Sequence, residues 1–445
     1  MAERLVVIGG DAGGMAAASQ ARRRNPDLDI VALEKGNWTS YAACGIPYFV
    51  GGDVSDLDDL VARTPQEFRD HQRIDVRMQH EVRSIDLQAG KVEVHDRARD
   101  RTINLSFDQL HIATGARPMR PDIGGIDLPK VMGVQTLDDA EAIVARAHMT
   151  DCRHVTVVGG GYIGLEMAEA FCRWGAEVTL IEATSQVMRT LDSDIAAKVA
   201  SAIRGFGVDV RTDLPVTGFE DGVVHTTEGE HHADLVVLGM GVTPNADLAA
   251  DAGLDLGPRG SILVDRRQRT SVDGVWAAGD CASSFHLLTQ EPVHIALGTV
   301  ANKQARVAGV NIGGGYATFP GVVGTAITKI CALEISRTGL TEHEAVEAGF
   351  AYDAATLDTK TIAHYMPEAE PMTIKMLAER GSGRVLGAQI IGGRGAGKRI
   401  DTVAMALHAG LDTQQVIDLD LSYAPPFSGV WDPVQMVARR LLRGD

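Results

Sequence analysis

Cys44 stands in Ser40-Tyr41-Ala42-Ala43-Cys44-Gly45-Ile46-Pro47-Tyr48, shortly after a glycine-rich turn and an acidic strand end. A redox dithiol in C-x4-C spacing would need a second cysteine at position 49, and that residue is Phe49. One sulfur without a companion works through a mixed disulfide, a persulfide or a sulfenic acid. A free cysteine is more often a small buried apolar residue than a nucleophile, so its surroundings decide. Only the thiolate attacks well, and local positive potential or a helix N-terminus favours it. Cys152, Cys172, Cys281 and Cys331 lack such surroundings and read as packing residues.

Two glycine-rich turns lie about 150 residues apart, each between an apolar β-branched run and a helical pattern. The first is Leu5-Val6-Val7-Ile8-Gly9-Gly10-Asp11-Ala12-Gly13-Gly14, followed by an alanine-rich helix from Met15 to Arg24. The next strand, Ile30 to Leu33, ends in Glu34. The second is Val155-Thr156-Val157-Val158-Gly159-Gly160-Gly161-Tyr162-Ile163-Gly164, then a helix to about Trp174 and a strand, Val178 to Ile181, ending in Glu182. Glycine lets the backbone approach a pyrophosphate, the helix N-terminus faces its charge, and the acid receives ribose hydroxyls. Two dinucleotide sites follow. Asp11 replaces a glycine of the first turn, and its carboxylate must turn away from a pyrophosphate or be held by another group. Glu182 suits the 2′-hydroxyl of NADH and repels the 2′-phosphate of NADPH, while Arg189 keeps NADPH open.

The elements around these turns predict an α/β fold. Asp234 to Gly239 is a buried strand, and Gly274 to Asp280 a short strand entering a glycine-acid turn. Beyond Gly313-Gly314-Gly315 the pattern becomes α+β, with strands Thr373 to Leu377 and Val385 to Ile390 and a helix from Ile400 to Ala409. A third domain starts near residue 321. A chain of 445 residues accommodates two or three domains. A formal charge of −17 argues against a nucleic-acid surface. No apolar run is long enough to span a bilayer, and with a strand at Leu5 to Ile8 and no basic n-region before it, no cleavable leader is expected. Five scattered cysteines without a CxxC fit a reducing cytoplasm, which is the expected compartment.

Together, the first glycine unit, Ala113-Thr114-Gly115, the central glycine unit and Thr270 to Asp280 resemble the pyridine nucleotide–disulfide oxidoreductases. Ser40 to Tyr48 and Tyr423-Ala424-Pro425-Pro426-Phe427-Ser428 narrow the resemblance to the single-cysteine branch. That branch holds the coenzyme A disulfide reductases, NADH oxidases and peroxidases, and persulfide or polysulfide reductases. The resemblance implies two doubly wound, glutathione reductase-like dinucleotide domains and a C-terminal α+β dimerisation domain. An FAD domain of residues 1–112 and 245–320 is interrupted by an NAD(P)H domain of 113–244, with dimerisation at 321–445. It implies FAD contacts from Gly9, Gly13, Gly14, Glu34, Lys35, Val82, Thr114, Gly115 and Asp280. NAD(P)H contacts come from Gly159, Gly161, Tyr162, Ile163, Gly164 and Glu182. Cys44 lies against the flavin, and Tyr365 and Tyr423 act from the partner subunit of a homodimer. A phenol there can give a proton to a leaving thiolate.

Position 12 discriminates within the branch. Its oxidases and peroxidases carry a histidine there, and this chain has Ala12. The histidine-acid pair of the paired-cysteine reductases is absent as well. The expected activity is NAD(P)H-dependent reduction of coenzyme A disulfide, or a related small disulfide or persulfide. The alternative is an NADH oxidase in which Cys44 cycles through sulfenic acid. Substrate contacts carried over by resemblance are Gln20, Arg23, Ser40 and Asn302, with coenzyme A as a bound thiol. Ala43 replaces an asparagine of the family pattern, and Trp431 a lysine. Gly392 to Lys398 fits GxxxxGK, but Arg399 follows where a P-loop needs Ser or Thr. The histidines, including His231-His232 and His364, show no metal-ligand spacing, and no metal is expected.

Overall fold

The structure is a computed structural model and describes residues 2–149 and 152–443. Two parallel five-stranded sheets form around the two glycine turns. The first has the order Val275–Ala277, Gln109–Ile112, Arg4–Ile8, Asp29–Leu33, Ile74–Arg77. The Val275–Ala277 strand therefore returns to the first sheet after the whole second unit. That second sheet runs Asp209–Arg211, Glu177–Ile181, His154–Val158, Leu235–Leu238, Val131–Gly133. Central strands in both are mostly apolar, because both faces are covered: in the first sheet by helices on one side and by Val82, Ile85, Val92 and Val94 of an antiparallel excursion on the other. Leu235–Leu238 is buried at every position.

The two turns share one construction. Gly9 and Gly159 have φ of 112° and 105°, a region that favours glycine. A Cβ on Gly14 would lie 1.9 Å from the Gly9 carbonyl oxygen, and one on Gly164 would lie 1.9 Å from that of Gly159. These close approaches seat each helix, Ala12–Arg24 and Tyr162–Arg173, against its strand. The first helix begins at Ala12, three residues before the Met15 that the sequence pattern suggested, because its first turn contains two glycines of low helix propensity.

Two connections join the parallel sheets, and they bond to each other. Thr114 Oγ1 donates to the Asn245 carbonyl (2.5 Å), and Asn245 Nδ2 donates to the Thr114 carbonyl (2.9 Å). Beside them Ala116–Pro118 pairs antiparallel with Val242–Pro244. Each unit also carries a three-stranded antiparallel excursion, His80–Ser106 and Val216–His232.

The C-terminal unit is an antiparallel sheet in the order Ala326–Ile330, Leu333–Gly339, Val385–Gly392, Pro371–Glu379, Tyr352–Lys360. The helices Ile400–Ala409 and Pro433–Arg443 pack on it. Among the described residues, no helix is long and apolar enough to cross a membrane.

Candidate functional site

Cys44 sits in a short 3-10 turn, Ala43–Gly45, that leads into the helix Ile46–Val50. Its side chain is exposed. The loop before it is tied to the first glycine turn. Ser40 N–H donates to the Gly10 carbonyl at 3.0 Å, and the Thr39 hydroxyl donates to the same oxygen. Tyr41 N–H donates to Asp11 Oδ1 at 3.1 Å. Ser40 takes a left-handed φ of 51° to make this crossing. On the other side Ala42 N–H donates to the Leu60 carbonyl (2.8 Å), and a Cβ on Gly45 would meet Leu60 Cδ2 at 2.2 Å. Asp11 is thus held by a second group, and its carboxylate faces the cysteine loop.

The local charges do not favour a thiolate. Crowding by the walls around Cys44 raises its pKa, and the carboxylates of Glu166, Asp280 and Asp11 raise it further. The sulfur is open to solvent on one side only, so exposure and crowding coexist. Burial also lifts Asp11 to about 6, against the N–H groups of Tyr41 and Ala12. The helix Ile46–Val50 and a cleft lined by Tyr48, Glu166, Glu169, Arg173 and Lys329 lie beside the cysteine turn. Glu166 was not singled out in the sequence. Its position in a helix of the second unit gives no signal of proximity to Cys44.

The residues present fit a flavin nucleotide. Glu34 Oε2 accepts from Gly10 N–H (2.8 Å) and Oε1 from Gly36 N–H (2.7 Å). A carboxylate has about four acceptor sites, so two stay open for ribose hydroxyls. Asp280 is pushed up to about 6 by burial alone, and among the described residues no group donates to its carboxylate. Such a partnerless carboxylate suits a hydroxyl-rich chain. The turn that holds it is fixed by Gln304, whose Oε1 accepts from Gly279 N–H (2.9 Å) and whose Nε2 donates to the Ser283 carbonyl (2.8 Å). Sequence reading missed Gln304, which looks like any polar residue of a helix. Gly13 lies against Ala278, Val82 is buried in the His80–Asp86 strand, and Gly115 has φ of 67°. Lys35 is exposed and offers its carbonyl to Arg97.

The second turn repeats this pattern. Glu182 Oε2 accepts from Gly160 N–H at 2.8 Å, and Oε1 accepts from Thr184 N–H at 2.9 Å. Gly161 is the N-cap of the helix that Tyr162 and Ile163 open. Its N-terminus meets the turn as a pyrophosphate site requires.

Gln20 and Arg23 share one face of the first helix, with Arg23 donating to Gln20 Oε1 at 3.1 Å. Asn302 is exposed on the helix Gly298–Ile312, which packs along the first helix. Gln20 lies against Gly309, about two helical turns from Asn302. Tyr365 and Tyr423 are brought together, and the phenol of Tyr423 raises the pKa of Tyr365. Both are exposed, along with Phe427, Val430 and Trp431. Cys281 is fully buried, and Cys152, Cys172 and Cys331 pack against the core of the second unit, as packing residues do.

Comparison with known proteins agrees with this geometry. Residues 3–305 match the family described as pyridine nucleotide-disulphide oxidoreductase, and residues 325–434 match its dimerisation domain. The chain is 39% identical over 444 residues to an NAD(P)H sulfur oxidoreductase (CoA-dependent) of Pyrococcus furiosus, covering 99% of each. It is 33% identical to an NADH oxidase of Methanocaldococcus jannaschii, again covering 99% of each. The solved structure of an NAD-dependent persulfide reductase from A. fulgidus superposes with a TM-score of 0.95 at 38% identity, covering 99% of this chain and 83% of that one. The chain is therefore an FAD-dependent oxidoreductase belonging to the pyridine nucleotide-disulphide oxidoreductase family.

Proposed function

We propose that this enzyme uses NADH to reduce coenzyme A disulfide, or a related small disulfide or persulfide, through Cys44. The observation that carries this reading is the exposed, unpaired Cys44 on a loop bonded to the first glycine turn through Gly10 and Asp11. The names of the Pyrococcus furiosus and A. fulgidus relatives support sulfur chemistry of this kind.

FAD, when bound, supplies a two-electron relay between the nicotinamide and the sulfur. Gly9, Gly13 and Gly14 admit its pyrophosphate, Glu34 takes the adenosine ribose, and Asp280 takes the ribityl hydroxyls. We assign this binding to residues 1–112 and 245–320, with Lys35, Val82, Thr114 and Gly115 around it. Residues 113–244 hold the nicotinamide nucleotide at Gly159, Gly161, Tyr162, Ile163 and Gly164. Glu182 gives the preference for NADH, since its carboxylate repels a 2′-phosphate. Arg189, exposed downstream, keeps NADPH open as a second reductant.

The Cys44 thiolate attacks one sulfur of RS–SR. The S–S bond breaks, a Cys44–S–SR bond forms, and RS⁻ leaves with a proton. Two electrons originating in NADH then cleave the mixed disulfide, restoring Cys44 and releasing the second thiol. The balance is NADH + H⁺ + RSSR → NAD⁺ + 2 RSH. Tyr423, assisted by Tyr365, is the proton donor to the leaving thiolate. Both phenols are exposed beside Phe427 and Trp431, and a second copy of residues 321–445 brings them to the Cys44 of its partner. Gln20, Arg23, Ser40 and Asn302 line the approach, and Arg23 pairs with a phosphate of coenzyme A.

Turnover of the purified flavoprotein with NADH tests this reading, measured anaerobically with coenzyme A disulfide, coenzyme A persulfide or polysulfide and separately with oxygen. Disulfide or persulfide turnover that Cys44→Ser abolishes is the expected result. Turnover confined to oxygen would instead establish an NADH oxidase, the activity named for the Methanocaldococcus relative.

A further inference from the structure

The fold assembles two histidines and two carboxylates at the end of the second parallel sheet away from its glycine turn. His154 opens the strand His154–Val158, whose other end leads into Gly159, about 17 Å away for five residues. Glu177 opens the neighbouring strand and lies directly opposite His154 in the ladder. His232 closes the strand Gly229–His232 of the antiparallel excursion, and Asp234 precedes Leu235–Leu238. These residues have no ligand spacing in the sequence. Yet His154, His232 and Asp234 each offer a donor atom within 4.8 Å of the other two.

Their distances suit a shared ion as well as ion pairs. His232 Nε2 lies 3.3 Å from Asp234 Oδ1, and His154 Nδ1 lies 3.6 Å from Asp234 Oδ2. The second distance is beyond hydrogen-bond range. Ligands about 2.0–2.1 Å from a tetrahedral zinc are about 3.3 Å apart; the His232–Asp234 separation equals this, and the His154 contact, made to the other carboxylate oxygen, is 0.3 Å longer. The two imidazole rings are edge to face with centroids 5.2 Å apart, so they do not stack.

The supporting groups are also in place. Asp234 Oδ2 accepts from the backbone N–H groups of His154 (2.9 Å) and Arg153 (3.0 Å), which fixes the carboxylate plane. Glu177 Oε2 lies 3.2 Å from His154 Nε2. A histidine that ligates through Nδ1 gives its other ring proton to such a carboxylate.

We propose that His154, His232 and Asp234 form a surface site for a borderline divalent transition ion of the Zn²⁺ class, with Glu177 as the outer acceptor for His154. Two imidazoles and one carboxylate select zinc, nickel or copper over magnesium and calcium. Water completes the coordination. The ion clamps the hairpin Val223–His232 to the parallel sheet and takes no part in sulfur reduction.

The test uses the full-length flavoprotein carrying Cys44→Ser, so that the exposed thiol cannot take the metal. After chelator treatment, Zn²⁺ binding is measured by calorimetry and metal content. One submillimolar equivalent per chain is expected, weakened at least about tenfold by His232→Ala or His154→Ala and by a similar factor by Glu177→Gln. His232 is exposed, so His232→Ala keeps the fold, and unchanged reduction of its flavin by NADH checks that. Absence of stoichiometric zinc, or zinc retained with full affinity in His232→Ala, would overturn the assignment.

Discussion

Asp11 Oδ1 accepts a hydrogen bond from Tyr41 N–H at 3.1 Å, so the residue that interrupts the first glycine turn is also an anchor of the cysteine loop. The bond explains how a carboxylate survives beside a pyrophosphate site. It also makes Asp11 a positioning residue for Cys44 and a like-charge neighbour that raises its pKa. Asp11→Asn keeps an acceptor for Tyr41 and removes the charge. The Cys44 thiol should then react with iodoacetamide at lower pH than in the wild type. Asp11→Ala also loses the bond, worth about 1 kcal/mol net, and should lower kcat as the loop loosens. An alkylation pH profile identical in all three proteins would refute the coupling.

Flavin affinity should carry two opposite pH dependences, because Asp11 and Asp280 are each lifted to about 6 from the ordinary 3.8. With Asp280 on the ribityl hydroxyls as proposed, its ionised form binds them better, and that contribution strengthens as pH rises through about 6. With the proposed pyrophosphate site at the first turn, ionised Asp11 repels it, and that contribution weakens over the same range. In the wild type the two offset. In Asp11→Asn the affinity for FAD should fall as pH goes from about 7 to about 5. In Asp280→Asn it should rise, by up to about tenfold per unit of displaced pKa. Quenching of FAD fluorescence by the apoprotein measures both, and parallel slopes in the two variants would contradict the assignment.

The parallel sheets were legible because their central strands are short apolar β-branched runs. Leu235–Leu238 and Val275–Ala277 could be placed from four or three residues each. The antiparallel excursions were not legible. Arg101–Ser106 and Gly229–His232 are exposed at most positions, and only Ile103 and Leu105 of the first turn toward the core, too short an alternation to mark a strand. The candidate site divides the same way. Cys44, Glu34 and Glu182 follow from order along the chain, since a turn and its strand end are local. The closeness of Glu166 to Cys44, of Gln304 to Gly279 and of His154 to His232 arises where separate segments cross, and spacing carries no trace of it.

Replacing Cys44 by serine should separate the two halves of the reaction. Hydride transfer from NADH to flavin involves the second nucleotide unit and leaves the sulfur unused. Its rate, followed by bleaching of the flavin in stopped flow, should stay within about twofold. Disulfide turnover should fall at least about 10³-fold, since serine is a far weaker nucleophile at neutral pH. A loss of both rates together would place Cys44 in flavin binding instead.

Tyr423 and Tyr365 give the last expectation. Their phenols interact with each other among exposed apolar side chains. Proton donation across subunits requires that surface to be covered by a second copy. Tyr423→Phe removes the proton and should cut kcat for disulfide by about 10², leaving flavin reduction intact. Tyr365→Phe should cost less, since it acts through Tyr423. Trp431→Glu, placed in the apolar face, should weaken association of the two copies. Mixing Cys44→Ser with Tyr423→Phe subunits should then restore one competent site per heterodimer, with native Cys44 facing native Tyr423. If no such activity returns in mixtures shown to exchange subunits, the tyrosines serve their own chain, and the shared site is wrong.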